Sequence, residues 1–183
     1  VHEVTSGKVF ENSDFAIFAE EMKHNTRCLA YSFVEKDKIR IDKSKLKKFK
    51  IPNSPVLQKL KQGKDIIING KKIKAKEITY INKGKKISIV LDTQINDNIE
   101  KIAKNSDLLI CESTYLDEEE TAKQYKHMTA GQAAQVAKKA KVKKLILMHL
   151  SQKYEKKESE FLKEARKLFK NTEIAEDLMK VSV

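Results

Sequence analysis

Short apolar runs divided by polar turns open the chain. Residues 8–11, 15–23 and 28–34 are rich in Phe, Ile, Val and Tyr, and each predicts a β-strand. From residue 86 onward the pattern alternates. Strands are predicted at 87–91, 108–111 and 145–148, with a closing strand at 178–183. Helices are predicted at 97–104, 118–126 and 130–140, and a long one at 155–169. The later strands read as continuous apolar runs, the pattern of strands covered on both faces, so the body is of the α/β class. No internal repeat is evident.

Residues 36–76 differ in texture. They hold fifteen Lys or Arg against Asp37, Asp42 and Asp65, a net of +12 that equals the charge of the whole chain. Short helices are predicted at 44–49 and 56–62, separated by Pro52 and Pro55 and stopped at Gly63. Residues 65–73 predict a hairpin turning on Asn69-Gly70. With Phe49 as its only aromatic, the segment is expected to lack a core of its own and to protrude from the folded body as an arm. A positive field this localised favours a polyanion through counterion release. A solvated lysine-rich surface is the alternative, since only three of the 38 basic residues are Arg.

Composition narrows the class. A chain of 183 residues with 40% hydrophobic and 35% charged positions is globular and long enough for one core. No apolar run has the length of a membrane span and no secretory signal is present. Cys28 and Cys111 sit in apolar runs without CxxC spacing, which points to small buried thiols and a reducing cytoplasm, with neither a thiolate metal site nor a redox pair. The opening Val1-His2-Glu3-Val4 carries no initiator Met, and a fragment or processed chain is expected.

Polar groups recur where the apolar strands stop. Asp92 follows Ile-Val-Leu, Glu112 follows Leu-Ile-Cys, and His149 follows Leu-Ile-Leu-Met. In layered α/β folds the carboxyl ends of strands are where sites assemble, although one acid there often only caps the next helix. His127 stands two residues before Thr129, and Thr129 to Gln132 has the spacing of a capping box. A helix start of that kind attracts phosphate, and a His beside it can move a proton at a phosphate ester, the more so if Glu112 fixes its tautomer. His24 lies between two strands and is a weak signal alone. His2 is read as structural or incidental.

Taken in order, these residues resemble ribonuclease Z, of the metallo-β-lactamase superfamily, over essentially the whole chain. Lys23-His24-Asn25-Thr26-Arg27-Cys28-Leu29-Ala30-Tyr31 is similar to the family's segment in which a zinc-binding His precedes a Gly-Tyr strand, with Ala30 in place of Gly. The stretch from Ile51 to Gly63 resembles the family's exosite arm, with Ser54-Pro55 where the family has Gly-Pro. Leu91-Asp92-Thr93 resembles Gly-Asp-Thr, Cys111-Glu112-Ser113-Thr114 resembles His-Glu-Ala-Thr, and His127-Met128-Thr129-Ala130 resembles His-Ser-Thr-Ala. Leu147-Met148-His149-Leu150-Ser151 resembles the last zinc-binding His motif.

The resemblance implies an αββα sandwich, of which residues 1–183 are the C-terminal portion, with residues 35–77 inserted as a tRNA-binding arm. It implies an endonuclease that removes the 3′ trailer of precursor tRNA, with two zinc ions in the intact enzyme. His24, Asp92 and His149 are then zinc ligands, Asp92 bridging, while Glu112 and His127 handle the proton. Lys43, Lys45, Lys47, Lys48, Lys59 and Lys61 on the arm, with Thr129, are the expected tRNA contacts, and a cytoplasmic homodimer is implied. The family's His-x-His-x-Asp-His motif is absent from these residues. Three accounts stay open: a fragment that has lost its N-terminal half with the other zinc ligands, a second polypeptide that supplies that half, or a non-catalytic tRNA-binding module. Another metallo-β-lactamase-fold phosphodiesterase, acting on small esters, is a further alternative.

Overall fold

A computed structural model describes residues 3–183, so His2 lies outside the described residues. The chain divides into two compact units, Val1–Glu35 with Lys85–Val183, and Lys36–Gly84. Three strands come first: β1 (Gly7–Glu11), β2 (Phe15–Met22) and β3 (Cys28–Glu35). The second unit follows with β4 (Lys38–Ile41), α1 (Lys43–Lys48), α2 (Val56–Lys61), β5 (Ile66–Ile68), β6 (Lys71–Ile73), α3 (Ala75–Ile78) and β7 (Thr79–Asn82). The chain then re-enters the first unit with β8 (Lys86–Val90), α4 (Asp97–Ala103), β9 (Leu108–Glu112), α5 (Glu119–Tyr125) and α6 (Ala130–Lys139). It finishes with β10 (Lys144–Met148), a 3₁₀ turn at Gln152–Tyr154, α7 (Glu158–Arg166) and β11 (Thr172–Ile174).

The first unit is a seven-stranded sheet in the order β1-β2-β3-β8-β9-β10-β11. Neighbours from β1 to β8 are antiparallel, and those from β8 to β11 are parallel. A parallel pair needs a crossover, and the helices between the later strands supply it. Register puts Leu145, Leu109, Ser88 and Ser32 in one row, and the next row of the same face holds Leu147, Cys111 and Val90. The core forms where α4, α6 and α7 meet this face. Helix α6 contributes Ala130, Ala133, Ala134 and Ala137, a stripe at helical spacing whose small side chains let the helix approach closely. Phe161 of α7 is fully buried with Tyr154 edge-on to it, ring centroids 5.0 Å apart. Ser32 and Ser88 donate to the Ile102 carbonyl at 2.8 and 3.0 Å, satisfying a carbonyl that the end of α4 leaves without a helical partner.

The opposite face carries a second apolar set. Phe33, Ile87 and Leu108 form one row there, and Tyr31, Ile89, Ile110 and Ile146 the next. Tyr31, Phe33 and Ile89 are 38–41% exposed.

Two expectations are corrected in this unit. The long helix expected over 155–169 starts only at Glu158, because Lys156 takes a left-handed φ of 68° after the 3₁₀ turn. The closing strand expected at 178–183 is not formed. The last strand is β11, paired parallel to β10, and the chain then turns at Leu178, whose φ is 64° and whose side chain is 96% exposed.

The second unit corrects another. The sequence of residues 36–76 leads one to expect no core, yet Ile51, Leu60, Ile66, Ile73, Ala75 and Ile78 pack together, with Leu60 and Ile78 fully buried. Aliphatic side chains supply the packing that the missing aromatics do not. The β5–β6 hairpin turns on Asn69 and Gly70, both at positive φ (50° and 74°), as the Asn-Gly signal requires. The unit continues through α3 and β7, the latter paired with β4, to Gly84. Asp37 closes its two ends, accepting from the Gly84 amide at 2.9 Å and pairing with Lys83 at 2.6 Å.

Candidate active site

Strands β8, β9 and β10 are parallel neighbours, so their carboxyl ends lie side by side. Asp92 follows β8, Glu112 ends β9, and His149 follows β10. The three strand-end residues read from the sequence are therefore brought together by register alone. Asp92 and His149 both take left-handed backbone, φ 49° and 59°. A side-chain-bearing residue held there costs about 1–3 kcal/mol, a strain that concentrates at functional sites.

Glu112 is the hub. It is fully buried, and its carboxylate accepts from the amides of Thr93 and, at 3.0 Å, of Met128. It also accepts from the Thr114 hydroxyl at 2.8 Å and from His127 Nδ1 at 3.1 and 3.2 Å. Four donors satisfy a buried charge that would otherwise be prohibitive. Each bond also fixes a neighbour of the site. The Thr93 amide anchors the loop of Asp92, the Met128 amide anchors the residue after His127, and Thr114 reaches onward to His149 Nδ1 at 3.0 Å. The expected Glu112–His127 pairing is present, and it leaves the other ring nitrogen of His127 facing away from the carboxylate.

A second set of bonds places His24. Its Nδ1 lies 3.2 Å from the Lys126 carbonyl, and its ring is 5.1 Å from that of His127. The loop that carries it is tied to the Asp92 loop through Lys23, whose amide donates to Thr93 Oγ1 at 3.1 Å and whose carbonyl accepts from Gln94 at 3.0 Å.

Asp92, His127 and His149 offer ligand atoms that all lie within 4.8 Å of one another, and His149 Nε2 is 3.2 Å from Asp92 Oδ1. A carboxylate with two imidazoles is a donor set that suits a divalent transition metal, so these residues fit part of such a shell. His24 lies beside this group rather than within it, and His127, expected only as a proton carrier, stands in it. Cys28 donates to the Leu91 carbonyl at 3.3 Å, and its thiol pKa is raised by burial first and by Asp92 and Glu112 next.

Thr129 caps α6 in the expected capping box: its hydroxyl accepts from the Gln132 amide and the Gln132 side chain accepts from the Thr129 amide. Thr129 is 2% exposed, with its hydroxyl engaged in this cap. Lys43, Lys45, Lys47, Lys48, Lys59 and Lys61 are all exposed on α1 and α2 of the second unit. Three residues that organise the site have no role legible in the sequence. Thr93 and Thr114 lie inside the strand-end motifs, but Lys126 carries no sequence signal.

Fold and site together define a metallo-β-lactamase-fold protein. The metallo-β-lactamase fold protein YhfI from Bacillus subtilis superposes with a TM-score of 0.57 at 17% identity, over 93% of this chain and 50% of that one. The short form of human tRNase Z also gives 0.57, at 24% identity over 96% of this chain and 46% of that one. In sequence, the chain is 41% identical over 182 residues to Ribonuclease Z of Listeria monocytogenes serotype 4a (strain HCC23), covering 97% of this chain and 60% of that protein. It is thus a homologue of proteins named Ribonuclease Z, and it spans about 60% of the length of the curated relatives it matches. No protein-family model matches it. Among the described residues no helix is long and apolar enough to cross a membrane.

Proposed function

We propose that the intact protein is a zinc-dependent endonuclease that removes the 3′ trailer of precursor tRNA. The observation that carries this is the convergence of Asp92, His127 and His149 beside buried Glu112, in a chain whose curated homologues are named Ribonuclease Z. Asp92 and His149 would hold zinc from this chain, with His24 completing its contribution and the remaining ligands of a two-ion site coming from outside it. When bound, zinc supplies a hydroxide near neutral pH and charge stabilisation for the phosphate.

The chain's own residues do the rest. His127 hands a proton to the departing ribose oxygen from the nitrogen that Glu112 leaves free, and the carboxylate on Nδ1 stabilises the ring while it is charged. Lysines of the second unit hold the body of the tRNA through its phosphates, a grip on shape and backbone that needs no sequence reading. A cytoplasmic homodimer accompanies this assignment, and two cysteines without a disulfide fit a reducing compartment.

The test is cleavage of a trailer-bearing precursor tRNA with zinc, by this chain alone and then with a polypeptide carrying the His-x-His-x-Asp-His motif. Cleavage that requires the added polypeptide is the expected result. A tRNA bound but uncut in both mixtures overturns the endonuclease in favour of a binding module.

A further inference from the structure

We propose that Thr114 is a positioning residue that decides which nitrogen of His149 faces Asp92, by relaying a hydrogen-bond direction outward from buried Glu112. The inference rests on the metal half of the function proposed above and is independent of the tRNA half.

The argument is one of donors and acceptors. Thr114 Oγ1 sits between Glu112 Oε2 at 2.8 Å and His149 Nδ1 at 3.0 Å. A hydroxyl has one proton to give and lone pairs to offer. Glu112, as a carboxylate, can only accept, and the Thr93 and Met128 amides that flank it can only donate. The Thr114 proton is therefore committed to Glu112. What remains for His149 is a lone pair, so His149 Nδ1 must carry the hydrogen. In the neutral ring that leaves Nε2 bare.

The consequence falls on the other side of the ring. His149 Nε2 lies 3.2 Å from Asp92 Oδ1. With Nε2 bare in the neutral ring, two acceptors face each other, an arrangement that a cation shared between them relieves. Without Thr114 the neutral ring would place its hydrogen on Nε2, donate it to Asp92, and so close the two ligands on each other. The relay keeps them open for a metal.

The relay is also rigidly mounted. Thr114 is 8% exposed, which leaves little room for water to replace the hydroxyl. Its carbonyl accepts from the Ser151 amide at 3.1 Å, pinning it to the segment just beyond His149. The β-branched side chain has few rotamers to choose from. Ligating histidines commonly give their second N–H to a carboxylate, carbonyl or water. Here the acceptor is a hydroxyl whose own direction is set by a buried carboxylate.

The experiment compares the full chain with Thr114→Val, which keeps the shape and removes the hydroxyl, and with Thr114→Ser, which keeps the hydroxyl. Nitrogen-15 NMR of the zinc-free chains, at alkaline pH where imidazoles are neutral, reads which nitrogen of His149 is protonated; His149→Gln assigns the signal. Nδ1–H is expected in the parent and in Thr114→Ser, and Nε2–H in Thr114→Val. An Nε2–H ring in the parent, or an unchanged Nδ1–H ring in Thr114→Val, overturns the relay. Titration of the same chains with zinc chloride should show affinity lowered about 10- to 100-fold in Thr114→Val and rescued in Thr114→Ser. If the parent binds no zinc, the metal assignment fails, while the tautomer still decides the relay.

Discussion

The Nδ1 of His24 is held 3.2 Å from the carbonyl oxygen of Lys126, a residue 102 positions further along the chain. That carbonyl arrives there because Lys126 ends α5 in left-handed backbone, φ 59°. A carbonyl only accepts, so His24 carries its hydrogen on Nδ1 and presents Nε2 away from Lys126. His24 and His149 thus reach the same tautomer by different devices, one through backbone and one through Thr114.

Substitution at Lys126 follows from this. Lys126→Gly relieves a left-handed penalty of about 1–2 kcal/mol but adds unfolded-state freedom costing about 0.5–1 kcal/mol. The relief exceeds the cost by about 0.5–1 kcal/mol, so the unfolding temperature should rise slightly and His24 should keep its tautomer. Lys126→Val places a β-branched residue in the same conformation and should lose about 1–3 kcal/mol, read as a lower unfolding temperature. Equal behaviour of the two variants would show that the backbone conformation does not matter.

Glu118 gives the first unit an acid-labile tie. Burial acts to raise its pKa, but hydrogen bonds from Lys153 at 2.8 Å and from the Tyr154 hydroxyl outweigh it and hold the pKa at about 2, against an ordinary value of 4.5. A depressed folded-state pKa means stability that is present above pH 4.5 and is lost as pH falls toward about 2. The Glu118 side chain is 38% exposed, so screening leaves an effect on the order of 1 kcal/mol. Denaturant melts of Glu118→Gln should show lower stability at neutral pH and a shallower decline across that window. Some decline persists, because Asp107 is also held below its ordinary range: burial opposes this, and Lys143 with the Lys86 amide overcomes it.

The separate core of the second unit predicts separate loosening. Leu60→Ala removes a fully buried side chain there and should cost about 2–5 kcal/mol. Hydrogen exchange should then quicken within residues 36–84 while the strands of the first unit keep their protection. Uniform quickening across the chain would mean that the two cores melt as one.

Charge reversal of Lys43, Lys47, Lys48 and Lys59 tests the proposed grip on tRNA. For every lysine that neutralises a phosphate, its reversal should flatten the dependence of log affinity on log salt by about 0.9. Cleavage of a small phosphodiester by the complemented enzyme should be unaffected. Equal impairment of both activities would remove the arm's assigned role.

Much of the site was legible because its residues stand at strand ends. Asp92, Glu112 and His149 each follow an unbroken apolar run, and parallel pairing then aligns the three ends. The capping box at Thr129 was legible for a local reason, since its two partners are three residues apart. Through-space partnerships were not. Thr114 bonds His149 across 35 positions, and the value of the Lys126 carbonyl depends on a left-handed turn that no residue type announces. In the basic segment the density of lysine hides the alternation in Lys38-Ile39-Arg40-Ile41, and with it β4 and its partner β7. The isoleucines that build the second core are masked in the same way. Strand propensity near Val181 and Val183 misleads, because a strand needs a neighbour and only Thr172–Ile174 has one.

Asp37, bonded to both Lys83 and the amide of Gly84, has a consequence for modularity. An excursion whose two ends meet is interchangeable: it can be shortened, swapped or excised without rethreading the chain around it. For loop closure, the first unit then meets a connection about as short as an ordinary turn instead of a long floppy one. The lysine-rich insertion can therefore be altered while the strand ends that bear Asp92, Glu112 and His149 keep their register.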